Sequence, residues 1–309
     1  MAEEQLQKKA AWVESIIRDF IENSPENTLQ DKNNEKAFDT PLVGFSRGDD
    51  PLYEEYKDHV GPFYMTPQEI FEITFRSVAF GTYLATGNKI KDPGPPEAKP
   101  EELAIISWIL PQTEATKADN RKEDFFPAER WARARIFGEQ VNAKLREHVV
   151  DTLKAAGIQA VAPSLTPQFG MRISPKYGFA STWSERHAAY AAGLGTFALC
   201  DGMITPVGKA MRTASVVARM ELPVTPRPYK HHMENCLFHS RGICKKCIKR
   251  CPAGAITEAG KDKLKCFGHL YPGTADHVKS QYDFIGYGCG LCQTGVPCES
   301  KIPTQKDVD

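Results

Sequence analysis

The stretch CKKCIKRCP, Cys244 to Pro252, decides how this chain is read, together with GCGLCQTGVPC, Gly288 to Cys298. Eight of the nine cysteines fall in the last quarter of the 309 residues: Cys236, Cys244, Cys247 and Cys251, then Cys266, Cys289, Cys292 and Cys298. Eight thiolates are what two [4Fe–4S] cubanes need at four sulfurs each, and Cys244 to Pro252 has the C-x2-C-x3-C-P ending of cluster-binding runs. Two zinc ions, or one cluster with leftover thiols, are the competing readings. The turn CPAGAI, Cys251 to Ile256, favours iron–sulfur. A chain that holds two such clusters moves electrons.

In two-cluster ferredoxins the fourth cysteine of a run ligates the other cluster. On that pattern one cluster takes Cys236, Cys244, Cys247 and Cys298, and the second takes Cys266, Cys289, Cys292 and Cys251. Pro252, Gly254, Gly288 and Gly290 suit tight turns that aim amide N–H groups at sulfur. Two features depart from the simple run. Arg241 stands where a first cysteine usually sits, and five residues separate Cys292 from Cys298 where three are usual.

A quarter of the residues are charged and the formal net charge is zero, so no global field argues for nucleic acid or an acidic membrane. Lys245, Lys246, Lys249 and Arg250 interleave the first cysteine group, as a solvated rim or a docking face for an acidic electron donor such as ferredoxin or flavodoxin. No apolar run is long enough to cross a bilayer, and neither a secretory signal nor a twin-arginine pair is visible. Metal-ligand spacing of the thiols points to a reducing compartment, and the expectation is a cytoplasmic protein.

Upstream, Ala11, Trp12, Ile16, Ile17, Phe20 and Ile21 recur at helical spacing and predict an amphipathic helix. Residues 23–36 read as a polar loop and 38–65 as an ordered irregular segment with several aromatics. Thr66-Pro67-Gln68-Glu69 is a helix start, with the helix running to about Tyr83. A proline-rich linker, Lys91 to Pro100, precedes LAIISWILP, Leu103 to Pro111, which suits a strand buried on both faces. A helix is expected from Pro127 to Ala156, a strand at Ile158 to Ala162 and a helix at Ser184 to Ala192. Met203 to Thr205 and Arg212 to Glu221 are expected to form a hairpin turning at Pro206-Val207-Gly208. The alternation gives an α/β domain over residues 1–230, with a two-cluster domain over 231–309.

AAGLG, Ala191 to Gly195, then GMITPVGKAMRTASVVARMELPVTP, Gly202 to Pro226, and then the cysteine groups stand in an order that resembles the epoxyqueuosine reductase and reductive dehalogenase superfamily. GIQAVAP, Gly157 to Pro163, is similar to the strand before that family's core, so the resemblance covers about Gly157 to Pro303. It implies a nitroreductase-like cobalamin-binding α/β sandwich with a C-terminal ferredoxin-like module holding two [4Fe–4S] clusters. It also implies a cobalamin between the two, reduced by one cluster, and Gly193, Gly195, Thr205, Gly208 and Arg212 as the cofactor-binding candidates.

The implied activity is reduction of a small-molecule substrate. Alternatives are an activating protein that reduces a separate corrinoid protein, and an epoxyqueuosine reductase-like enzyme on a modified nucleoside. Against the last stand the chain's end eleven residues after Cys298 and, on the helix Arg130 to His148, Ile136-Phe137-Gly138 where the family's Asp-Tyr-His-like motif is sought.

Reduction also needs a proton donor. Tyr177 and His187 are the catalytic candidates, His187 because imidazole titrates near neutrality and lies beside Glu185 and Arg186. Cys200, outside both groups, is either an axial thiolate or a buried structural cysteine. His231, His232 and His239 lie near Cys236, to tune its cluster or simply to face solvent.

Overall fold

The computed structural model describes residues 2–75 and 98–307. The linker over 91–97 and the expected end of the Thr66 helix, over 76–83, lie outside the described residues. Its start is present as a reciprocal cap: the Glu69 backbone N–H donates to Thr66 Oγ1 at 3.3 Å, and Thr66 N–H donates to the Glu69 carboxylate at 2.9 Å.

Four strands form the main sheet: β1 (Leu42–Arg47), β2 (Leu103–Pro111), β3 (Ala160–Val161) and β8 (Met211–Arg219), in the order β1-β2-β8-β3 with every pairing antiparallel. Ile106 lies opposite Val216 and Trp108 opposite Ala214. The smaller strands are β4 (Met171–Ser174) with β5 (Gly178–Ser181), β6 (Thr196–Phe197) with β7 (Met203–Ile204), and β9 (Ile256–Thr257) with β10 (Gly260–Lys261).

All nine residues of β2 are buried, because helices cover both faces of the sheet. On one face Ile106, Trp108, Leu110, Ala214 and Val216 pack on the helices Ala2–Asn23 and Glu129–Ala155. On the other, Leu103, Ile105 and Val217 meet Tyr53, Tyr56, Trp183, Ala188 and Ala191. Each large aliphatic side chain so enclosed contributes about 1.5–3 kcal/mol. The polar atoms of the two indoles are satisfied, Trp108 donating to Asn142 Oδ1 at 3.1 Å and Trp183 to Ser215 Oγ at 3.0 Å.

The structure departs from sequence expectation in two places. Residues 38–65 are more regular than expected, carrying β1 and a helix, Leu52–Val60, whose Tyr53, Tyr56 and Val60 point into the core. The expected hairpin between the 203–205 and 212–221 segments does not form: β7 pairs with β6, and β8 pairs with β2 and β3. The cause is local. Thr205 and Gly208 exchange backbone hydrogen bonds at 2.8 and 3.2 Å, closing a tight turn, and the next amide, Lys209 N–H, donates to Cys298 O at 2.8 Å. That bond draws the chain toward the C-terminal cysteines before β8 begins.

The C-terminal part carries short helices, Leu237–Arg241, Lys246–Lys249, Lys263–Leu270 and Ala275–Tyr282, and the β9–β10 ribbon. It is fastened to the α/β layer mainly through polar contacts. Asn120 Nδ2 donates to Cys289 O and Thr294 Oγ1, and Tyr282 Oη donates to Pro127 O at 2.8 Å. Arg121 pairs with Glu299 at 2.7 Å. Arg250 does not face solvent with its lysine neighbours; it donates to the carbonyls of Asn120, Glu123, Leu291 and Thr294 and acts as a bolt between the two parts. No helix among the described residues is long and apolar enough to cross a membrane.

Candidate redox site

The cysteines converge where the turn before β8 meets the C-terminal tail. Cys236, Cys244, Cys247 and Cys298 line one cavity, whose other walls are apolar (Ile204, Phe238 and Val296 among them) except for Lys209. These are the four thiols grouped from the sequence into one cluster. Four donors spread around a cavity suit a cubane, whose ligands bind different iron atoms. Among the described residues no group of three or more His, Cys, Asp or Glu side chains is placed to hold a single metal ion.

Cys251, Cys266 and Cys289 interact electrostatically as a second group, and burial pushes the Cys289 thiol up to about 11. The turn after Cys251 directs the Ala255 N–H to its sulfur at 3.3 Å, with Gly254 at φ +59°. That is the amide-to-sulfur contact expected of this turn.

Cys200 sits between the groups. It is buried, within hydrogen-bonding reach of Cys247 and Cys292, and 3.3 Å from Lys209 Nζ. Accepting from those two thiols, its sulfur is held well below the usual thiol range. Lys209 is 1% exposed. Burial works to discharge it, but the surrounding sulfurs outweigh burial and hold its pKa well above the usual ammonium value. Sequence reasoning missed this lysine. The signal was a lysine directly after the turn glycine Gly208, at the entrance to a strand.

The positions named for a flat cofactor are committed within the chain. Gly193, at φ +72°, lets the Pro226 carbonyl approach to where a Cβ would be 2.5 Å away; a Cβ on Gly195 would lie 2.4 Å from Ile204 O, and one on Gly208, at φ +84°, 2.1 Å from Glu299 O. Thr205 is buried and its hydroxyl donates to Gly208 O at 2.8 Å. The glycines are required for backbone-on-backbone packing. On the side a Cβ would occupy, these turns pack against the chain itself.

Arg212 reaches the Arg135 carbonyl at 3.2 Å and lies 3.9 Å from Glu139; burial pulls its pKa down to about 10. It belongs to a polar layer along β8 where, among the described residues, the short β3 pairs only with Val217 and Ala218. Glu139 pairs with Arg146 at 3.1 Å, and Glu185 accepts hydrogen bonds from Ser164 and Ser215. Burial raises the Glu185 carboxyl, against the pull of Arg146. Arg135 donates to Tyr287 Oη at 2.9 Å and so joins this layer to the C-terminal part. Glu139, immediately after Ile136-Phe137-Gly138, is the carboxylate of this helix that faces Arg212; sequence reading stopped one residue short of it.

The two proton-donor candidates fare differently. Tyr177 lies at the β4–β5 turn, 36% exposed, with its ring 5.7 Å from His59 and the Lys176 and Lys263 ammonium groups over it. His187 is packed edge-on against Tyr56 at 4.5 Å, and its Nδ1 is buried without a hydrogen-bond partner. Burial, then the nearby Arg186, pulls its pKa down to about 3. The expectation of an imidazole titrating near neutrality is corrected: His187 is neutral at physiological pH. His231, His232 and His239 are exposed.

No protein-family profile matches the chain. The epoxyqueuosine reductase of Bacillus cereus is 32% identical over 120 residues, 37% of this chain and 29% of that protein. The Staphylococcus aureus enzyme of the same name is 30% identical over 129 residues, 40% of this chain and 32% of that protein. The chain thus spans well under two thirds of the curated relatives it matches. A crystal structure of epoxyqueuosine reductase with an epoxyqueuosine-modified tRNA-Tyr stem loop superposes with a TM-score of 0.50 at 18% identity, covering 99% of this chain and 69% of that one, a likeness of fold. The aligned segments are in keeping with the resemblance read from the motifs: part of this chain is similar in sequence to epoxyqueuosine reductases, and its fold is like that of an epoxyqueuosine reductase.

Proposed function

We propose that this protein is a cytoplasmic iron–sulfur oxidoreductase. One [4Fe–4S] cluster is held by Cys236, Cys244, Cys247 and Cys298, the other by Cys251, Cys266, Cys289 and Cys292. An electron donor of the ferredoxin or flavodoxin kind docks at the exposed lysines 245, 246 and 249, and the electrons serve reduction of a small substrate at the polar layer along β8. The observation that carries this reading is the cavity lined by four cysteines drawn from sequence positions 236 to 298. The names of the aligned relatives, all reductases, support the reaction class.

The cobalamin-type cofactor implied by the resemblance belongs to the proposal as the electron acceptor, with Gly193, Gly195, Thr205, Gly208 and Arg212 as its candidate contacts. Iron and sulfide analysis of anaerobically reconstituted protein tests the cluster assignment, with eight irons per chain expected. Markedly fewer overturns it. Cobalt retained after gel filtration with added cobalamin tests the acceptor, and its absence removes that part alone.

The relatives' names favour a second reading, reduction of an epoxide on a modified nucleoside. Turnover of an epoxyqueuosine-containing tRNA stem loop by reduced protein supports it. Binding that is lost at moderate salt, with no turnover, is non-specific phosphate contact and counts against it.

A further inference from the structure

The side chain of Lys209 has no role in the reading above, yet its placement is costly. An ammonium taken out of water needs compensating negative charge. Among the described residues no carboxylate pairs with Lys209; its Nζ contacts Cys200 Sγ at 3.3 Å and lies within hydrogen-bonding reach of Cys298. Cys292 and Cys247 complete its electrostatic surroundings. The backbone fixes it there twice over. Lys209 N–H donates to Cys298 O at 2.8 Å and Glu299 O at 3.0 Å, and the missing side chain of Gly202 leaves the space its stem occupies, since a Cβ there would lie 2.8 Å from Lys209 Cδ.

Resting on the cluster assignment above, we propose that the Lys209 ammonium is the fixed counter-charge of the site formed by Cys236, Cys244, Cys247 and Cys298, and that it raises the reduction potential of the cluster held there. A cubane with four thiolates is an anion, and it gains one further negative charge when reduced. A positive charge held beside it in a dry cavity stabilises the reduced form more than the oxidised form. The step is transfer of one electron from a low-potential donor onto the cluster, with no bond made or broken. Lys209 acts through the cluster, as a positioning residue for charge. Of the second cluster's thiols only Cys292 is among the leading charges acting on Lys209, so that cluster feels it less. Electrons entering from the donor therefore come to rest at the Lys209 side of the pair, beside the turn that leads into β8.

The experiment is a redox titration of the anaerobically reconstituted full chain, followed by the paramagnetic signal of the reduced clusters, for wild type, Lys209→Met and Lys209→Arg. Iron content is measured on each sample. With eight irons retained, Lys209→Met is expected to weaken reduction of one cluster at least tenfold, a fall of about 59 mV in its midpoint for a one-electron couple, and to leave the other cluster nearly unmoved. Lys209→Arg, which keeps the charge, stays close to wild type. A Met variant that loses four irons while the Arg variant keeps all eight also supports a required charge.

Both midpoints unmoved in a fully loaded Met variant overturn the proposal. So does equal loss of iron from the Met and Arg variants, which would make the lysine a packing element. If the wild-type chain itself binds no iron, the cluster assignment fails, and that outcome is read before any variant is compared.

Discussion

The two halves of the molecule solve the problem of holding a shape in opposite ways. The sheet and its helices are held by burial: Val13, Ile17, Ile106, Trp108, Leu145, Val149 and Val216 are all fully enclosed. The C-terminal part shares a small apolar nucleus with Leu199, Cys200 and Ile204 of the α/β part, to which it brings Ile256, Val296 and the buried Cys236, Cys247 and Cys298. It leaves Leu264, Phe267, Tyr271 and Ile285 more than half exposed. With the clusters proposed above, metal–sulfur bonds would supply the folding energy that this region's small apolar surface does not. The comparison sets a part held by apolar burial beside a part whose thiols are placed to be held by cofactors.

The most severe way to break the comparison is to remove the iron. Chelation of the loaded protein under anaerobic conditions is expected to erase amide-exchange protection through residues 236–300 while β2 and β8 keep theirs. Uniform loss across both regions would mean that the sheet also depends on the metal. The reciprocal cut is Ile106→Ala. It is expected to cost about 2–5 kcal/mol of stability, read by denaturant unfolding of the sheet, with iron content unchanged.

A third variant tests the seam. Gly290 is at φ +68°, and a Cβ there would lie 1.9 Å from the Trp131 ring. Trp131 stands on the Glu129–Ala155 helix, so this glycine is where the segment bearing Cys289 and Cys292 lies flat against the α/β layer. Gly290→Ala is expected to cost about 1–3 kcal/mol through overpacking and to lower iron occupancy along with stability. A normal iron content would show that the cysteine loop adjusts independently of the helix beneath it.

This division also explains what could be read in advance. The burial of β2, the long helix and the helix capped by Ser184 were legible because each is a local pattern, an apolar run or a periodicity with a cap. The two cysteine groups were legible because the C-x2-C-x3-C spacing is local; that Cys236, Cys244, Cys247 and Cys298 share one cavity matches the crossover expected of two-cluster ferredoxins. The pairing of β7 with β6 was hidden, since it depends on the carbonyls of Cys298 and Glu299 holding Lys209 from the other end of the sequence. The helix Leu52–Val60 was hidden among Pro, Gly and Asp residues, its tyrosines packed against Trp183 and His187 from far along the chain. Lys209 went unnoticed because most of the sulfurs around it come from residues 247–298, and Glu139 because Arg212, which it faces, lies far along the chain.

The gentlest test uses pH to separate the halves. His187 belongs to the aromatic face of the sheet, and burial holds its pKa near 3, against 6.5 for an unconstrained imidazole. Between those values the unfolded chain binds a proton at this site that the folded chain does not. Stability of the α/β layer therefore falls as pH drops below 6.5, by up to about 1.4 kcal/mol per pH unit from this group. His187→Phe removes the proton site and keeps an aromatic ring against Tyr56. Its stability is expected to fall less steeply than wild type between pH 6.5 and 5.5, measured by denaturant unfolding followed through the buried tryptophans. The cluster signal, reporting the other half, is expected to change with pH identically in both proteins. Equal slopes in the unfolding measurement would place the imidazole in contact with water, and would restore it as a group able to exchange a proton near neutrality.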